Sequence, residues 1–164
     1  MPETPDFERR ICSPADAVAR AALLARPLVF TNGVFDILHR GHVTYLAQAR
    51  ALGASLVVAL NSDASAKRLG KGVDRPVNTL ADRAAVVAAL ASVDLVTWFA
   101  ADTPLELILA LQPAVLVKGG DWQPETIVGA REVRTWGGTV HSIAFTHQRS
   151  TSALLARVRA ASAD

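Results

Sequence analysis

The sequence predicts an α/β domain built on a five-stranded parallel sheet with helices on both faces. Short apolar runs alternate with longer segments of helical pattern along the chain, which is the order of a parallel sheet. The length of 164 residues fits one domain, and a hydrophobic share of 51% supplies a packed core. No internal repeat, low-complexity segment or linker divides the chain.

The N-terminal part of the chain is interpreted as an arm of residues 1–12, followed by the domain at 13–164. Ser13 and Pro14 signal a helix start, because Ser caps a helix and Pro fits its first turn, and Pro27 ends that helix. The apolar runs predict five strands, at 28–31, 56–60, 95–99, 114–117 and 139–145. Helical patterns follow them at 43–52, 62–69, 79–91, 103–112, 124–136 and 150–160.

The site is expected outside the carboxyl ends of the strands, where open parallel sheets bind their ligands. Three loops leave predicted strand ends with glycines and polar residues, at 32–42, 118–122 and 146–152. We therefore look for functional residues in these loops.

Charge and cysteine content exclude several function classes. The net charge is +2 and no segment carries a run of like charges, so no nucleic-acid partner is expected. Cys12 is the only cysteine, which excludes a disulfide framework and a cysteine zinc site and favours a cytoplasmic location. No apolar segment of signal-peptide or membrane-spanning kind is visible, so no membrane partner is expected.

The most informative segment is the loop after the first predicted strand, Gly33-Val-Phe-Asp-Ile-Leu-His-Arg-Gly-His42. Glycines permit close backbone approach to a phosphate, and a helix start presents N–H groups to an anion. His39 and His42 can both donate hydrogen bonds to phosphate oxygens. Zinc ligation by this pair is the minor alternative, since His141 and His147 lie far downstream. Asp36 fits a turn residue as well as a ligand contact.

This loop resembles the signature of the cytidylyltransferase-like nucleotidyltransferases, a Rossmann-like family whose HxGH motif corresponds to residues 39–42. Further segments follow in the family's order: 61–63, 75–78, Arg83, 118–121 and 150–152. Together they look most like the branch that adenylylates D-glycero-β-D-manno-heptose 1-phosphate in ADP-heptose synthesis. The glycerol-3-phosphate cytidylyltransferase branch carries an Arg at the start of its C-terminal motif, Arg-Thr-x-Gly-Ile-Ser-Thr-Thr. Residues 145–152 lack that Arg and have Arg149 immediately before Ser150 instead, with no assigned contact.

The resemblance implies transfer of AMP from ATP to a sugar 1-phosphate, with Mg²⁺ accompanying ATP, no protein metal site and a homodimer. The sugar phosphate would attack the α-phosphorus in line, so the protein would position two anions and stabilise charge without a nucleophile of its own. The implied catalytic residues are His39, His42, Lys71 and Lys118. The implied nucleotide-binding residues are Asn32, Gly33, Phe35, Asp36, Gly41, Asp121, Ser150 and Thr151. The implied substrate-binding residues are Asn61, Asp63, Arg75 and Arg83.

Two alternatives stay open at this point. One is a cytidylyltransferase acting on glycerol 3-phosphate or another small phosphate. The other is a nucleotide-binding module without catalysis, which the intact histidine pair disfavours because binding alone does not need both rings. Trp122 and Trp136 are assigned to packing or subunit contact rather than to stacking on a base.

Overall fold

The computed structural model describes residues 3–147 and 150–161. Within these residues five strands form one parallel sheet: β1 (Leu28–Gly33), β2 (Ser55–Asn61), β3 (Leu95–Phe99), β4 (Val115–Gly119) and β5 (Thr139–Ile143). The helices are α1 (Pro14–Ala22), α2 (Arg40–Arg50), α3 (Asp63–Arg68), α4 (Leu80–Ala88), α5 (Leu105–Leu111), α6 (Ala130–Thr135) and α7 (Thr151–Ala161). The predicted fold class is confirmed.

The sheet has the order β3-β2-β1-β4-β5, so the chain changes direction across the sheet between β1 and β4. Every pair is parallel, with Thr31 of β1 in register with Val58 of β2 and Val117 of β4. A crevice opens beyond the carboxyl ends of two strands at such a switch point. The fold thus sets the site at the ends of β1 and β4.

The sheet is buried on both faces, and alternate residues of each strand serve opposite sides. Leu28 and Phe30 pack with α1, α5 and α6, whereas Val29 between them packs with α2 and α4. All three side chains are fully buried. This explains why the strands read as continuous apolar runs instead of alternating ones.

The helix cap predicted at Ser13 is confirmed, and Thr79 caps α4 in the same way, since each side chain accepts a hydrogen bond from the backbone N–H three residues on. Several helix bounds differ from prediction, and two of these differences have a clear cause. The segment predicted as one helix at 124–136 is a short 3-10 turn, Pro124–Thr126, followed by α6, because Gly129 adopts a φ of 87° between them. Helix α2 begins at Arg40, three residues earlier than predicted, because His39 caps it.

The segment predicted as an N-terminal arm lies against the domain over its described part. Asp6–Arg10 form a 3-10 helix, and the backbone of Cys12 donates a hydrogen bond to Val96 of β3. Cys12 itself is buried, and burial raises the pKa of its thiol. These contacts cover part of the outer edge of β3, which would otherwise offer unpaired backbone groups.

Candidate active site

Two neighbouring cavities open at the switch point between β1 and β4. The first has a volume of about 360 Å³ and the second about 320 Å³. Both volumes lie at the lower end of the range for small-molecule sites, about 300–1,000 Å³. They share Asn32, Lys71, Lys118 and Trp122, so these residues form a common wall.

The loop between β1 and α2 forms the floor of the first cavity, and its backbone is tightly constrained. Phe35 has a φ of 47°, in the left-handed region where residues other than glycine are uncommon. A Cβ on Gly33 would lie 2.8 Å from the Phe35 ring, so only glycine fits there. Gly33, Phe35 and Asp36 all line this cavity, as the sequence predicted.

His39 lines the first cavity and caps α2. Its Nδ1 accepts a hydrogen bond of 3.1 Å from the Gly41 backbone N–H, so the proton of the neutral ring belongs on Nε2. A Cβ on Gly41 would lie 2.9 Å from the His39 ring and 3.1 Å from the His147 carbonyl oxygen. Gly41 lines neither cavity, so its part is to let the His39 ring fold back onto the helix start.

His42 stacks on His39, with ring centroids 3.9 Å apart and planes inclined by 23°. Burial, with added repulsion from His39 and Lys71, lowers the pKa of His42 to about 4. Among the described residues no group bonds its buried Nδ1. An unpaired buried acceptor costs less than an unpaired buried N–H, which favours the tautomer with the proton on Nε2. His42 is therefore a neutral hydrogen-bond donor at neutral pH.

Aromatic rings hold the histidine pair in place. Phe35 and Phe145 contact His42 edge-on, at centroid distances of 5.3 and 6.2 Å. Tyr45 is buried beneath Phe145 and shares a hydrogen bond between its hydroxyl and that of Thr31. Burial raises the pKa of Tyr45, which keeps the phenol neutral. This packing fixes the orientation of His42 before any ligand binds.

Two lysines face the shared wall. Lys118, at the end of β4, has its Nζ 3.5 Å from both oxygens of Asn32 and 6.0 Å from the centre of the Trp122 ring. Burial, reinforced by the nearby Lys71 charge, lowers the pKa of Lys118. Lys71 comes from the loop between α3 and α4 and lines both cavities. The described lining therefore concentrates positive charge where the cavities meet, which suits an anionic group.

Asp36 and Arg75 form a buried ion pair with a distance of 2.7 Å. The Asp36 carboxylate also accepts hydrogen bonds of 2.9 Å from the backbone N–H groups of Val77 and Asn78. Burial alone would raise the pKa of Asp36, but these N–H groups and the Arg75 guanidinium outweigh burial and lower it. The pair joins the loop between β1 and α2, called the HxGH loop below, to the loop between α3 and α4 that carries Lys71. Its geometry therefore fits the positioning of these loops better than direct contact with a ligand.

The start of α7 closes the first cavity. Ser150, Thr151 and Ser152 line it, and the Ser150 hydroxyl accepts a hydrogen bond from the backbone N–H of Ala153, which makes it the predicted cap. Thr151 donates a hydrogen bond of 3.1 Å to the Ile37 carbonyl. This contact ties the helix start to the HxGH loop. Arg149 lies outside the described residues.

Arg83 corrects a prediction, because it is 1% exposed and lines neither cavity. Its guanidinium donates to the carbonyls of Asn78, Val34 and Asn61 and to the carboxylate of Asp63. A side chain with these bonds joins three loops and is not placed to touch a substrate. Asp63 is held as its partner and also lies outside both cavities, whereas Asn61 lines the second.

Asp121 is exposed and lines neither cavity, although its neighbour Trp122 lines both. Trp122 is half exposed, and its ring N–H donates to the Gly119 carbonyl. The sequence assigned Trp122 to packing or subunit contact and gave no site role to Tyr45 or Phe145. Ser152 was named only as part of the 150–152 segment. An aromatic residue two positions after the Gly119-Gly120 pair at a strand end was the available signal for Trp122.

No group of three or more His, Cys, Asp or Glu side chains comes together in the described ranges as a metal site would require. Asp36 supplies the only carboxylate that lines the first cavity among the described residues, and its oxygens are already bonded. In the same ranges no helix has the length and apolar character needed to span a membrane.

The comparison with protein families decides the assignment. The model of the cytidylyltransferase-like family matches residues 30–155, which include both histidines, both lysines and the start of α7. The chain belongs to the cytidylyltransferase-like family. Its members' nucleotidyl transfer accounts for a site that combines a paired-histidine loop, two lysines and a helix start.

Two curated relatives are similar over most of the chain. The D-beta-D-heptose 1-phosphate adenylyltransferase of Bordetella bronchiseptica is 58% identical over 93% of this chain and 96% of its own. The bifunctional protein HldE of Magnetococcus marinus is 51% identical over 87% of this chain. This alignment covers 29% of the HldE protein, so the family member described here corresponds to one part of it.

Solved structures of other proteins share the fold of this chain. The lipopolysaccharide core biosynthesis protein of Thermoplasma volcanium has a TM-score of 0.59 at 27% identity, covering 74% of this chain and 98% of its own. Pantothenate synthetase of Thermus thermophilus has a TM-score of 0.54 at 21% identity, covering 82% of this chain and 60% of its own. The second likeness concerns the fold alone.

Proposed function

We propose that the protein transfers AMP from ATP to D-β-D-heptose 1-phosphate, giving ADP-heptose and pyrophosphate for lipopolysaccharide core synthesis. The observation that carries the proposal is the stacked histidine pair beside two lysines, at the junction of two cavities. The heptose 1-phosphate acceptor rests on the 58% identical relative, which covers nearly the whole chain.

The reaction forms a bond between an oxygen of the sugar phosphate and the α-phosphorus of ATP. It breaks the bond from that phosphorus to the oxygen that bridges to the β-phosphate, and pyrophosphate leaves with that oxygen. Because the acceptor is itself a nucleophile, the protein needs no covalent intermediate. Its contribution is the alignment of the two substrates and the stabilisation of charge.

His39 and His42 donate hydrogen bonds to the oxygens that gain charge as pyrophosphate leaves. Their fixed tautomers matter, because a donor that is already oriented costs no reorganisation during the reaction. His42 is neutral at pH 7, so it acts as a hydrogen-bond donor and not as a cation. The aromatic packing around it maintains this orientation.

Lys71 and Lys118 hold the two anions together. Both line both cavities, so a phosphate bound at the shared wall contacts either amine. A bound phosphate would also relieve the repulsion between the lysines and favour the charged form of Lys118, whose pKa is lowered by burial and by the Lys71 charge.

The nucleotide occupies the first cavity in this proposal. The backbone of residues 32–36 and the start of α7 approach its phosphates, and a helix start favours an anion through its N–H groups. Ser150 and Thr151 already serve the helix start and the loop contact, so they act chiefly through the backbone geometry that they fix.

Mg²⁺ is the proposed metal, and it arrives with ATP. The cavity offers no unengaged carboxylate among its described residues, which fits an ion held by substrate phosphates and water. When bound, the ion neutralises phosphate charge. A homodimer and a cytoplasmic location, both expected from the sequence, stay proposals.

The proposal is tested by pyrophosphate release from the purified protein with Mg²⁺, with ATP and CTP each paired with heptose 1-phosphate and glycerol 3-phosphate. The expected result is release with the pair of ATP and heptose 1-phosphate and with no other pair, lowered about 10²–10³-fold in His42→Ala. Release with another pair would keep the chemistry and replace the substrate. No release in any pair, with nucleotide still bound, would favour the binding module.

A further inference from the structure

The second cavity has a different chemistry from the first. The first is lined by the histidine pair and the start of α7. The second is lined by an amide, a carboxylate and two hydroxyl groups, from Asn61, Asp102, Thr103 and Thr126. These groups accept hydrogen bonds, or both donate and accept them. They therefore suit the hydroxyl groups of a polyol better than the phosphate oxygens of a nucleoside triphosphate, which only accept hydrogen bonds.

We propose that this cavity receives the sugar of the acceptor, and that Asp102 and Thr103 determine specificity by bonding its hydroxyl groups. The inference rests on the proposed function, since it takes the acceptor to be a sugar 1-phosphate. The sequence placed Thr103 at the start of a predicted helix and assigned neither residue to the site. Both belong to the loop between β3 and α5.

The charges orient the sugar in the cavity. Lys71 and Lys118 stand on the wall that the two cavities share, so the acceptor phosphate lies there, beside the nucleotide. Asp102 lies on the lining of the second cavity only and would repel a phosphate. The sugar ring therefore points away from the lysines toward Asp102, with its hydroxyl groups meeting the loop.

Asp102 is an exposed residue at the rim of the second cavity, and Arg68 bonds only one of its carboxylate oxygens. Its Oδ1 accepts a hydrogen bond of 2.6 Å from Arg68, a residue that lines neither of the two cavities. Within the described ranges no hydrogen bond reaches Oδ2. A carboxylate anchored by one oxygen can accept a sugar hydroxyl with the other at little cost in side-chain ordering.

Thr103 is exposed, and its hydroxyl does not cap the helix that follows it. Threonine just before a helix commonly caps it, but α5 receives no side-chain cap. In the described part of the chain its hydroxyl has no hydrogen-bond partner, and it lines the second cavity. The apolar lining from Leu69, Pro104 and Ile127 completes a surface for the carbon side of a sugar ring.

The test measures KM for heptose 1-phosphate and for ATP separately, in wild type, Asp102→Asn and Thr103→Val. We expect Asp102→Asn to raise KM for the sugar phosphate about tenfold or more and Thr103→Val to raise it about two- to tenfold, the usual losses for a hydrogen bond to a charged and to a neutral group. KM for ATP should change by less than about twofold in both variants. Thr135→Val is the matched control, because its exposed hydroxyl bonds only Glu132 in its own helix.

Arg68→Met separates direct contact from loop positioning, since it removes the anchor of Asp102 without touching the cavity. The inference requires that Asp102→Asn raise the sugar KM more than Arg68→Met does. Unchanged sugar KM in both cavity variants, or equal changes in both KM values, would overturn it. A wild-type protein that releases no pyrophosphate with heptose 1-phosphate would instead refute the proposed function, and the inference with it.

Discussion

At the scale of single residues, the protonation state of His42 is the feature on which the site depends. Its ring is stacked on His39 at 3.9 Å and surrounded by Phe35 and Phe145. Burial and two neighbouring positive or potentially positive groups keep it uncharged. A neutral ring can stack on its neighbour without repulsion, so the pair forms a rigid donor array.

Removal of the His42 ring tests its part in the chemistry. We expect His42→Ala to lower kcat by about 10²–10³, the loss seen when one preorganised donor is removed from a transition state. Steady-state kinetics at saturating substrates measures this effect. His141→Ala is the control, because His141 lies on β5 outside both cavities and bonds only Thr139 among the described residues. Equal losses in the two variants would contradict the role.

The lowered pKa of His42 also predicts how stability depends on pH. The unfolded chain binds a proton on this residue below about pH 6.5, whereas the folded chain does so only below about pH 4. The free energy of unfolding therefore falls as pH drops from 6.5 to 4, by about 2 kcal/mol for this half-buried ring. Urea denaturation at several pH values should show this slope, and His42→Gln should reduce it. An identical slope in the variant would show that other groups cause it.

At the scale of elements, the loop between α3 and α4 is fixed to both sides of the site. Arg75 pairs with Asp36 of the HxGH loop, and Asp74 pairs with Arg159 of α7. The Arg75 guanidinium also lies 3.5 Å from the Ser152 hydroxyl. These contacts place Lys71 over the shared wall, so loop position and catalysis are coupled.

The Asp36–Arg75 pair gives a double-mutant prediction. Asp36→Asn leaves a buried guanidinium without its counter-ion, and we expect a loss of about 3–5 kcal/mol in the free energy of unfolding. Arg75→Met is expected to cost less, because Asp36 keeps its two backbone donors. The double variant should be more stable than the sum of the single losses predicts. Additive losses in urea denaturation would show that the pair is not coupled.

Arg83 gives the opposite kind of prediction, because its bonds are structural. Arg83→Met leaves three backbone carbonyls without their donor, and we expect Tm to fall by about 10 °C. KM for the sugar phosphate should change by less than about threefold at a temperature where the variant is folded. A large rise in that KM without a fall in Tm would restore the direct substrate contact that the sequence suggested.

At the scale of the whole molecule, the sequence predicted the sheet and the location of the site because both follow from local patterns. The continuous apolar runs at β1, β2 and β4 are readable as buried parallel strands, and the glycine and histidine spacing at 33–42 identifies the loop that lines the first cavity. Gly53 directly follows the helix predicted at 43–52, where glycine commonly ends a helix. The structure adds another reason, since a Cβ there would lie 2.6 Å from the Pro27 carbonyl oxygen.

The sequence could not reveal which charged residues face each other across the fold. Asp36 and Arg75 are 39 positions apart, and Arg83 reaches Val34 across 49 positions. Such pairs depend on how the loops meet at the sheet edge. A single sequence therefore does not distinguish a charged residue that is free to contact a ligand from one that is held by buried hydrogen bonds. The second cavity was missed for the same reason, because its lining comes from the ends of β1, β2 and β4 and from the loops after α3, β3 and β4.

In the proposed reaction the AMP group of ATP passes directly to the sugar phosphate beside His39 and His42. ATP labelled at the α-phosphorus tests this transfer, when the label is followed in a mixture of the purified protein and heptose 1-phosphate. We expect the label to appear in ADP-heptose, with unlabelled pyrophosphate and no label on the protein at any time. Label retained on the protein, or transfer of the γ-phosphate in place of the α-phosphate, would contradict it.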